Sequence, residues 1–267
     1  MTPVTLFLLA HHDDEVFCAA HLRRALAAGG SVRLLWATAG GLAPARRRMA
    51  EGARVAELLD LPAGAACDLQ LRDQHAVEHI PVIAREVARL LDRCADENLH
   101  PAVAAPAEED ALTTIYVPAY EGGHPDHDAV NLAAALAAAA RPGLRVTEFP
   151  LYRRGRFGLV VQSPVPAAAT SPERFAVLAL DDGDLALRRE LARANASQLA
   201  PSLLPLLAAA RWAGRGRAEP ARPLPAHDYA LPPHRSRLLY ELYTPWRWAA
   251  WRDAALRGLE GTSASSA

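Results

Sequence analysis

Thr5-Leu6-Phe7-Leu8-Leu9-Ala10-His11-His12-Asp13-Asp14-Glu15 is an apolar run that ends in five consecutive ionisable residues. The continuous apolar stretch up to Ala10 has the pattern of a strand buried on both faces. From Asp14 to about Ala28 the apolar residues recur at helical spacing, and Gly29-Gly30 stops the helix. A buried strand that runs straight into a helix opens an α/β fold. The ionisable cluster then falls at the strand's carboxyl end, where open parallel sheets bind their ligands.

Outward from this unit the alternation continues. Ser31 to Ala37 reads as a second buried strand, and Arg46 to Leu59 as a helix with Met49, Val55, Leu58 and Leu59 on its apolar side. A weak strand is expected around Asp68 to Leu71, then a helix from about Pro81 to Asp96 and a central strand within Pro101 to Pro106. His127 to Ala140 reads as an Ala-rich helix and Leu144 to Phe149 as one more strand. The expectation is a Rossmann-like, mostly parallel sheet with helices on both faces and a C-terminal elaboration. Residues 1–200 would form the core, and residues 201–267 an extension packed on it. In the later part, Asp184 to Leu199 reads as a helix and the Arg-, Gly- and Pro-rich stretch from Ala213 to Pro233 as loop. Tyr240, Tyr243, Trp246, Trp248 and Trp251 would pack the C-terminal helix onto the core, or line a substrate cleft or subunit interface.

Composition narrows the function classes. The chain has 267 residues, 51% of them hydrophobic, and a formal net charge of −1, which offers nucleic acid no bulk attraction. Every basic residue other than histidine is Arg, so Schiff-base chemistry and a P-loop lysine are excluded. Cys18, Cys67 and Cys94 are scattered and odd in number, as in a protein of a reducing compartment. The apolar run Val4 to Ala10 is too short for a signal-peptide core, and no long uncharged apolar stretch suggests a membrane span. A cytoplasmic location is expected.

Two motifs carry chemistry. In Ala10-His11-His12-Asp13-Asp14-Glu15, acids in a first helical turn explain themselves through the helix dipole, but the histidines do not. A bound cation would justify the whole group by neutralising carboxylates that otherwise repel. In Gly122-Gly123-His124-Pro125-Asp126-His127, two histidines three residues apart can converge on one locus, with Asp126 placed to orient a ring. One His and one Asp from the first motif with one His from the second make a three-ligand set. Such a set leaves a fourth position for water, the arrangement of a catalytic zinc rather than a structural one.

These motifs resemble those of the N-acetylglucosaminylphosphatidylinositol de-N-acetylases and their bacterial relatives (PIG-L/LmbE type), which include the deacetylases of mycothiol and bacillithiol pathways. The family signature is A-H-P-D-D-E near the N-terminus and H-P-D-H further on, on a Rossmann-like sheet. The resemblance implies Zn2+ held by His11, Asp14 and His127. It implies Asp13 as general base, His124 as the group that stabilises or protonates, and Asp126 behind it. Arg48, in Arg48-Met49-Ala50-Glu51, resembles a family arginine that contacts substrate, and Asp73 an acid that binds sugar hydroxyls. Ser197-Gln198 resembles a late S-Q. Two positions depart from the pattern: His12 replaces the usual proline, and Thr38-Ala39-Gly40-Gly41 lacks an acid common in relatives.

The implied activity is hydrolysis of an N-acyl, chiefly N-acetyl, group on a small amino-sugar-containing molecule. Either His124 or Asp13 would protonate the leaving amine, and homo-oligomer formation stays open. Tyr120 is close enough in sequence to add a hydroxyl. His21, His75, His79, His100, His227 and His234 read as surface or packing residues, with His75 the nearest in sequence to Asp73. A thiol conjugate or an acylated natural product is the alternative substrate. A non-catalytic metal-binding module is a further alternative, whereas the absence of G-x-G-x-x-G after the first strand argues against a dinucleotide site.

Overall fold

A computed structural model describes residues 3–41, 43–98, 113–163 and 174–264 of the chain. The first strand, β1 (Val4–Leu9), is followed by a single tight turn of helix at Asp14–Cys18 and by α1 (Ala19–Ala27). Then come β2 (Ser31–Thr38), α2 (Ala45–Leu58), β3 (Ala66–Leu71), α3 (Ile80–Asn98), β4 (Thr114–Pro118), α4 (Pro125–Ala140) and β5 (Arg145–Phe149). A hairpin of β6 (Tyr152–Gly155) and β7 (Gly158–Val161) leads to β8 (Ala176–Ala179) and α5 (Asp182–Ala194). One turn, α6 (Ala196–Gln198), joins α7 (Leu204–Trp212), and β9 (Ala218–Pro223) and α8 (Trp248–Ala264) complete the order.

Seven strands form the main sheet in the order β3-β2-β1-β4-β5-β9-β8. The first five run parallel, and β9 is antiparallel to both β5 and β8. From β1 the chain builds outward to β3, then returns to the other side of β1 with β4. The strand order therefore reverses between β1 and β4, the switch point at which such sheets hold ligands. Both chemical motifs leave the sheet there, one after β1 and the other after β4.

Two-residue periodicity divides the strands between two cores. Leu6, Leu8, Leu35 and Ala37 face the α3, α4 and α8 side, in a cluster with Ile80, Val87, Val130 and Trp251. Phe7, Leu9, Leu34 and Trp36 face the α1, α2 and α5 side, with Phe17, Leu22, Val55 and Leu191. Helices on both faces follow directly, and β1 and β2 are mostly apolar because both of their faces are covered. Among the described residues no helix is long and apolar enough to cross a membrane.

Several expectations are corrected here. The strand beside β1 is Thr114–Pro118, which the sequence reading passed over; the one expected within Pro101 to Pro106 lies outside the described residues. The stretch expected to be loop from Ala213 contains β9, a strand inside the main sheet. Its composition hid it, because Pro220 and Pro223 argue against a central strand. The charged side chains of β9 are buried in matched pairs instead: Arg222 Nε donates to Glu148 at 2.7 Å and Glu219 accepts from Arg188 at 2.7 Å. The helix expected from Asp184 to Leu199 ends at Ala194, because the next residue turns its amide inward: Asn195 Nδ2 donates to Glu15 at 2.6 Å.

Candidate metal centre and active site

The centre is built on the turn between β1 and its helix. Asp14 folds this turn: its Oδ2 accepts the backbone N–H groups of Ala10 at 2.9 Å and His11 at 3.0 Å. Glu15 holds the next part, accepting Asp13 N–H at 3.0 Å and the indole N–H of Trp36 at 3.3 Å. Between them Asp13 adopts φ 119°, a strained left-handed conformation for a residue with a side chain. Strain of this kind costs about 1–3 kcal/mol and persists only where the surroundings over-determine it.

From the β4 side, His124 caps α4, its Nδ1 accepting Asp126 N–H at 3.2 Å, and Pro125 fills the first helical turn. The loop before it passes close under β6: a Cβ at Gly123 would lie 1.9 Å from the Tyr152 carbonyl oxygen. The rings of His11, His124 and His127 converge, with centroids 4.4–5.2 Å apart.

Ligand-type atoms of His11, Asp14 and His127 all lie within 4.8 Å of one another and are buried. His127 Nε2 is 3.2 Å from Asp14 Oδ1, and His11 Nδ1 is 3.9 Å from Asp14 Oδ2. Among the described residues neither nitrogen of the buried His127 ring has a well-directed hydrogen-bond partner, and Nε2 meets Asp14 only through the contact above. Two imidazoles and a carboxylate with such an orphaned nitrogen suit a borderline-soft dication.

A second group, His11, Asp73, His124 and Asp126, also meets within 4.8 Å. It reads as support for the first. Asp126, fully buried, accepts Ala76 N–H at 2.9 Å and Gln74 N–H at 2.7 Å and stands 3.3 Å from His11 Nε2. Asp73 Oδ1 is also 3.3 Å from His11 Nε2. With Nε2 engaged by carboxylates, Nδ1 of His11 is left for a metal, a pairing that fixes both tautomer and ring orientation. Asp126 therefore leans on His11, not primarily on His124, whose Nδ1 is 3.8 Å from the Asp126 carboxylate.

The electrostatics follow from burial and these pairs. Burial pushes the Asp13 carboxyl up to about 8, against the pull of the nearby Arg48 guanidinium. Burial works against the His11 imidazolium, but Asp126, Asp14 and Asp73 outweigh it and hold the ring's pKa well above its ordinary value. His124 is displaced the other way, well below the ordinary value, first by burial and then by His11. Burial opposes ionisation of Asp14, yet His127 and His11 keep its carboxyl well below the usual range.

The remaining expected residues separate. Arg48 is only 1% exposed. Its Nη2 reaches Asp13 at 3.5 Å, and its Nη1 donates to Glu51 at 2.8 Å and to Ser197 Oγ at 3.3 Å. Asp73 is half-buried at the edge of the site, and a Cβ at Gly41 would lie 2.4 Å from its Oδ2. His12 turns away from the centre: it pairs with Asp68 at 2.8 Å and stacks on Trp36 at 4.4 Å. Gly52 leaves room for it, since a Cβ there would come within 2.4 Å of the ring. The Tyr120 hydroxyl donates to Leu231 O at 2.7 Å among C-terminal aromatics, away from the centre. His75 pairs with Glu78 at 3.2 Å.

Residues that the motifs did not announce complete the walls. Tyr152 sets its ring edge-on to His127 at 5.4 Å, and Tyr243 donates to Gly123 O at 2.8 Å. The Trp246 indole donates to Gln74 O at 2.5 Å and Trp251 to Pro125 O at 3.0 Å. The C-terminal aromatics thus divide between packing and the rim of the site. Tyr243 belongs to the aromatic segment expected to pack or to line a cleft, whereas no short-range pattern marked Tyr152, which reaches the centre only through the fold.

Comparison with known proteins gives a family and a fold. The chain matches the family described as PIG-L, GlcNAc-PI de-N-acetylase, over residues 6–138, a span that holds both motifs. No curated protein matches it in sequence. Among solved structures, teicoplanin deacetylase Orf2 in a zinc-inhibited form is 16% identical with TM-score 0.57, covering 84% of this chain and 99% of its own. The conserved protein TT1542 of Thermus thermophilus is 22% identical with TM-score 0.56, covering 88% and 100%. N,N'-diacetylchitobiose deacetylase of Pyrococcus horikoshii is 17% identical with TM-score 0.56, covering 92% and 88%. At these identities the structures speak for a shared fold. It is the match running from β1 through most of α4, together with that fold, that places the chain in the PIG-L family.

Proposed function

We propose that this protein is a zinc-dependent hydrolase that removes an N-acyl group, chiefly acetyl, from a small amino-sugar-containing molecule. The observation that carries the reading is the buried His11–Asp14–His127 donor set with the Asp13 carboxylate beside it. Family membership supports the de-N-acetylase chemistry, and the deacetylase neighbours, which act on teicoplanin and N,N'-diacetylchitobiose, support a sugar-bearing substrate.

His11 through Nδ1, Asp14 and His127 would hold the metal. A bound zinc ion supplies Lewis acidity toward an amide carbonyl and brings water into the range where it loses a proton near neutral pH. Asp13 takes the proton from the attacking water, and burial has already raised its carboxyl toward the range in which a base works best. Arg48 and the Glu15 hydrogen bond to Asp13 N–H keep that carboxylate in place.

His124 acts as a neutral donor. Its Nδ1 is occupied as an acceptor by Asp126 N–H, so the ring proton resides on Nε2 and is offered to the oxyanion that forms on the carbonyl. Burial disfavours the imidazolium, so His124 has no extra proton to give. The proton that Asp13 received is therefore the one returned to the leaving amine. Asp73, half-exposed at the rim, is placed to accept hydrogen bonds from substrate hydroxyls, and Arg48 serves the site from behind Asp13.

Metal analysis of the purified protein, with an assay of amine release from N-acetylglucosamine and its glycosides, tests the proposal. One metal per chain with release abolished in Asp13→Ala is the expected result. A metal-loaded protein inert on acylated sugars but active on acylated thiol conjugates would keep the centre and replace the substrate. A protein that binds no zinc would refute the reading.

A further inference from the structure

Among the described residues three Phe, Tyr or Trp rings are exposed, those of Phe157, Trp212 and Tyr243, and Tyr243 is the one that lies beside the centre. Its ring centroid is 6.1 Å from that of His124, with 40° between the planes. The residue is 50% exposed although its hydroxyl is turned inward, donating to Gly123 O at 2.8 Å and accepting from the Tyr152 hydroxyl. With the polar end engaged, Tyr243 presents ring carbons to solvent.

The ring is also held in place. Tyr243 N–H donates to Tyr240 O at 3.3 Å, and Thr244, buried next to it, donates its hydroxyl to the same oxygen at 2.8 Å. Three residues on from Tyr243, the Trp246 indole donates to Gln74 O at 2.5 Å, which fastens this segment to the loop that carries Asp73. Asp73 itself belongs with His124 to a group of ligand-type atoms within 4.8 Å of one another. Burial first, then the charges of Asp126 and Asp73, hold the Tyr243 phenol above its ordinary pKa, so the group stays neutral. The exposed ring and the half-buried Asp73 carboxylate thus stand on adjoining segments around one histidine of the centre.

That pairing suits one kind of ligand. A pyranose offers hydroxyls around its edge and C–H groups on its faces. The face of an aromatic ring is negative and attracts C–H groups, while a carboxylate accepts hydrogen bonds from hydroxyls. An open-chain amine has no ring face to lay against the phenol. We propose that Tyr243 is the platform on which the sugar ring of the substrate lies, its C–H face against the aromatic ring while Asp73 takes hydroxyls from the edge. The proposal rests on the deacetylase reading above and adds the residue that selects a cyclic sugar over an open-chain acylated amine. A platform fixed before binding loses little freedom when the ligand arrives, so the contact contributes to affinity.

Two readouts on the full chain test it, one of them without turnover. In NMR, methyl β-D-glucosaminide, the deacetylated glycoside, should receive saturation from aromatic protons of wild type at its ring C–H groups. The transfer should persist in Tyr243→Phe and vanish in Tyr243→Ala. In the assay, wild type should prefer methyl N-acetyl-β-D-glucosaminide to N-acetylglucosaminitol, which keeps the hydroxyls but has no ring. Tyr243→Ala should narrow that preference about three- to tenfold, chiefly through KM of the glycoside, and Tyr243→Phe should restore it. Equal losses on the two substrates in Tyr243→Ala, or no rescue by Tyr243→Phe, would overturn the platform and leave the deacetylase reading standing. Saturation transfer that persists in Tyr243→Ala, or is absent from wild type, would do the same. A wild type inert on both compounds would overturn the deacetylase reading and this proposal with it.

Discussion

Asp126 Oδ2 stands 3.3 Å from His11 Nε2 while the same carboxylate accepts the N–H groups of Gln74 and Ala76. One buried side chain from the second motif thus contacts His11 of the first and ties both to the loop after β3. Asp126→Asn replaces an oxygen acceptor with an amide donor and removes the charge that opposes rotation of His11. Metal affinity should fall by about 10–100-fold, the usual effect of losing a ligand's outer partner. Competition with a chromophoric chelator measures it, and an unchanged affinity would show that Asp126 does not orient His11.

Asp13 and His127 should separate chemistry from metal binding. Asp13→Ala is expected to keep one metal per chain and lose about 10²–10⁴-fold in turnover, the typical contribution of a positioned base. His127→Ala removes a donor and should lose the metal. Elemental analysis beside kcat decides the matter, and a metal-free Asp13→Ala protein would move Asp13 into the ligand set.

Arg48 is buried against Glu51, Ser197 and Asp13, so its first role is structural. Arg48→Ala removes the shorter of two guanidinium contacts to Glu51, which keeps Arg47 at 3.5 Å and Ser197, and should cost about 1–3 kcal/mol, as losing a buried hydrogen-bond partner does. Urea unfolding reports this directly. A variant of undiminished stability and raised KM would instead mark Arg48 as a substrate contact.

His12→Ala should leave metal content unchanged, because the ring points to Asp68 and Trp36. It removes a hydrogen-bonded partner of Asp68 and should destabilise the fold by about 1–3 kcal/mol. Loss of metal on this substitution would restore His12 to the ligand set.

Glu148 predicts a pH dependence of stability. Burial opposes its charge, but His227 and Arg222 outweigh burial and hold its pKa below the ordinary value. A depressed folded pKa adds stability that is complete above the unfolded value of about 4.3 and is lost as pH falls through the folded one. The urea midpoint of wild type should therefore drop on going from about pH 6 to about pH 3, and Glu148→Gln should flatten that drop. Equal slopes in the two proteins would remove Glu148 from the account.

Much of the fold was legible because its signals are local. Apolar runs at 5–10 and 31–37, helical spacing at 14–28, 46–59 and 81–96, and Gly29-Gly30 depend only on neighbours in the chain, and the sheet follows them. Where local composition and tertiary partners disagree, the reading failed. β9 looks like loop, since its prolines and charges are acceptable in a sheet only because Glu148 and Arg188 wait to pair with them.

The centre divides in the same way. Sequence by itself determined which residue types meet, since two short motifs at the ends of β1 and β4 must converge once the sheet is parallel. Tertiary structure alone decided their roles: that Asp126 serves His11, that His12 leaves the centre for Asp68, that Arg48 lies behind Asp13, and that Tyr152 and Tyr243 arrive from distant segments. The physical reason is range. Strand and helix formation is set by residues a few positions apart, whereas a hydrogen bond is set by ångström-scale placement of groups that the whole fold brings together.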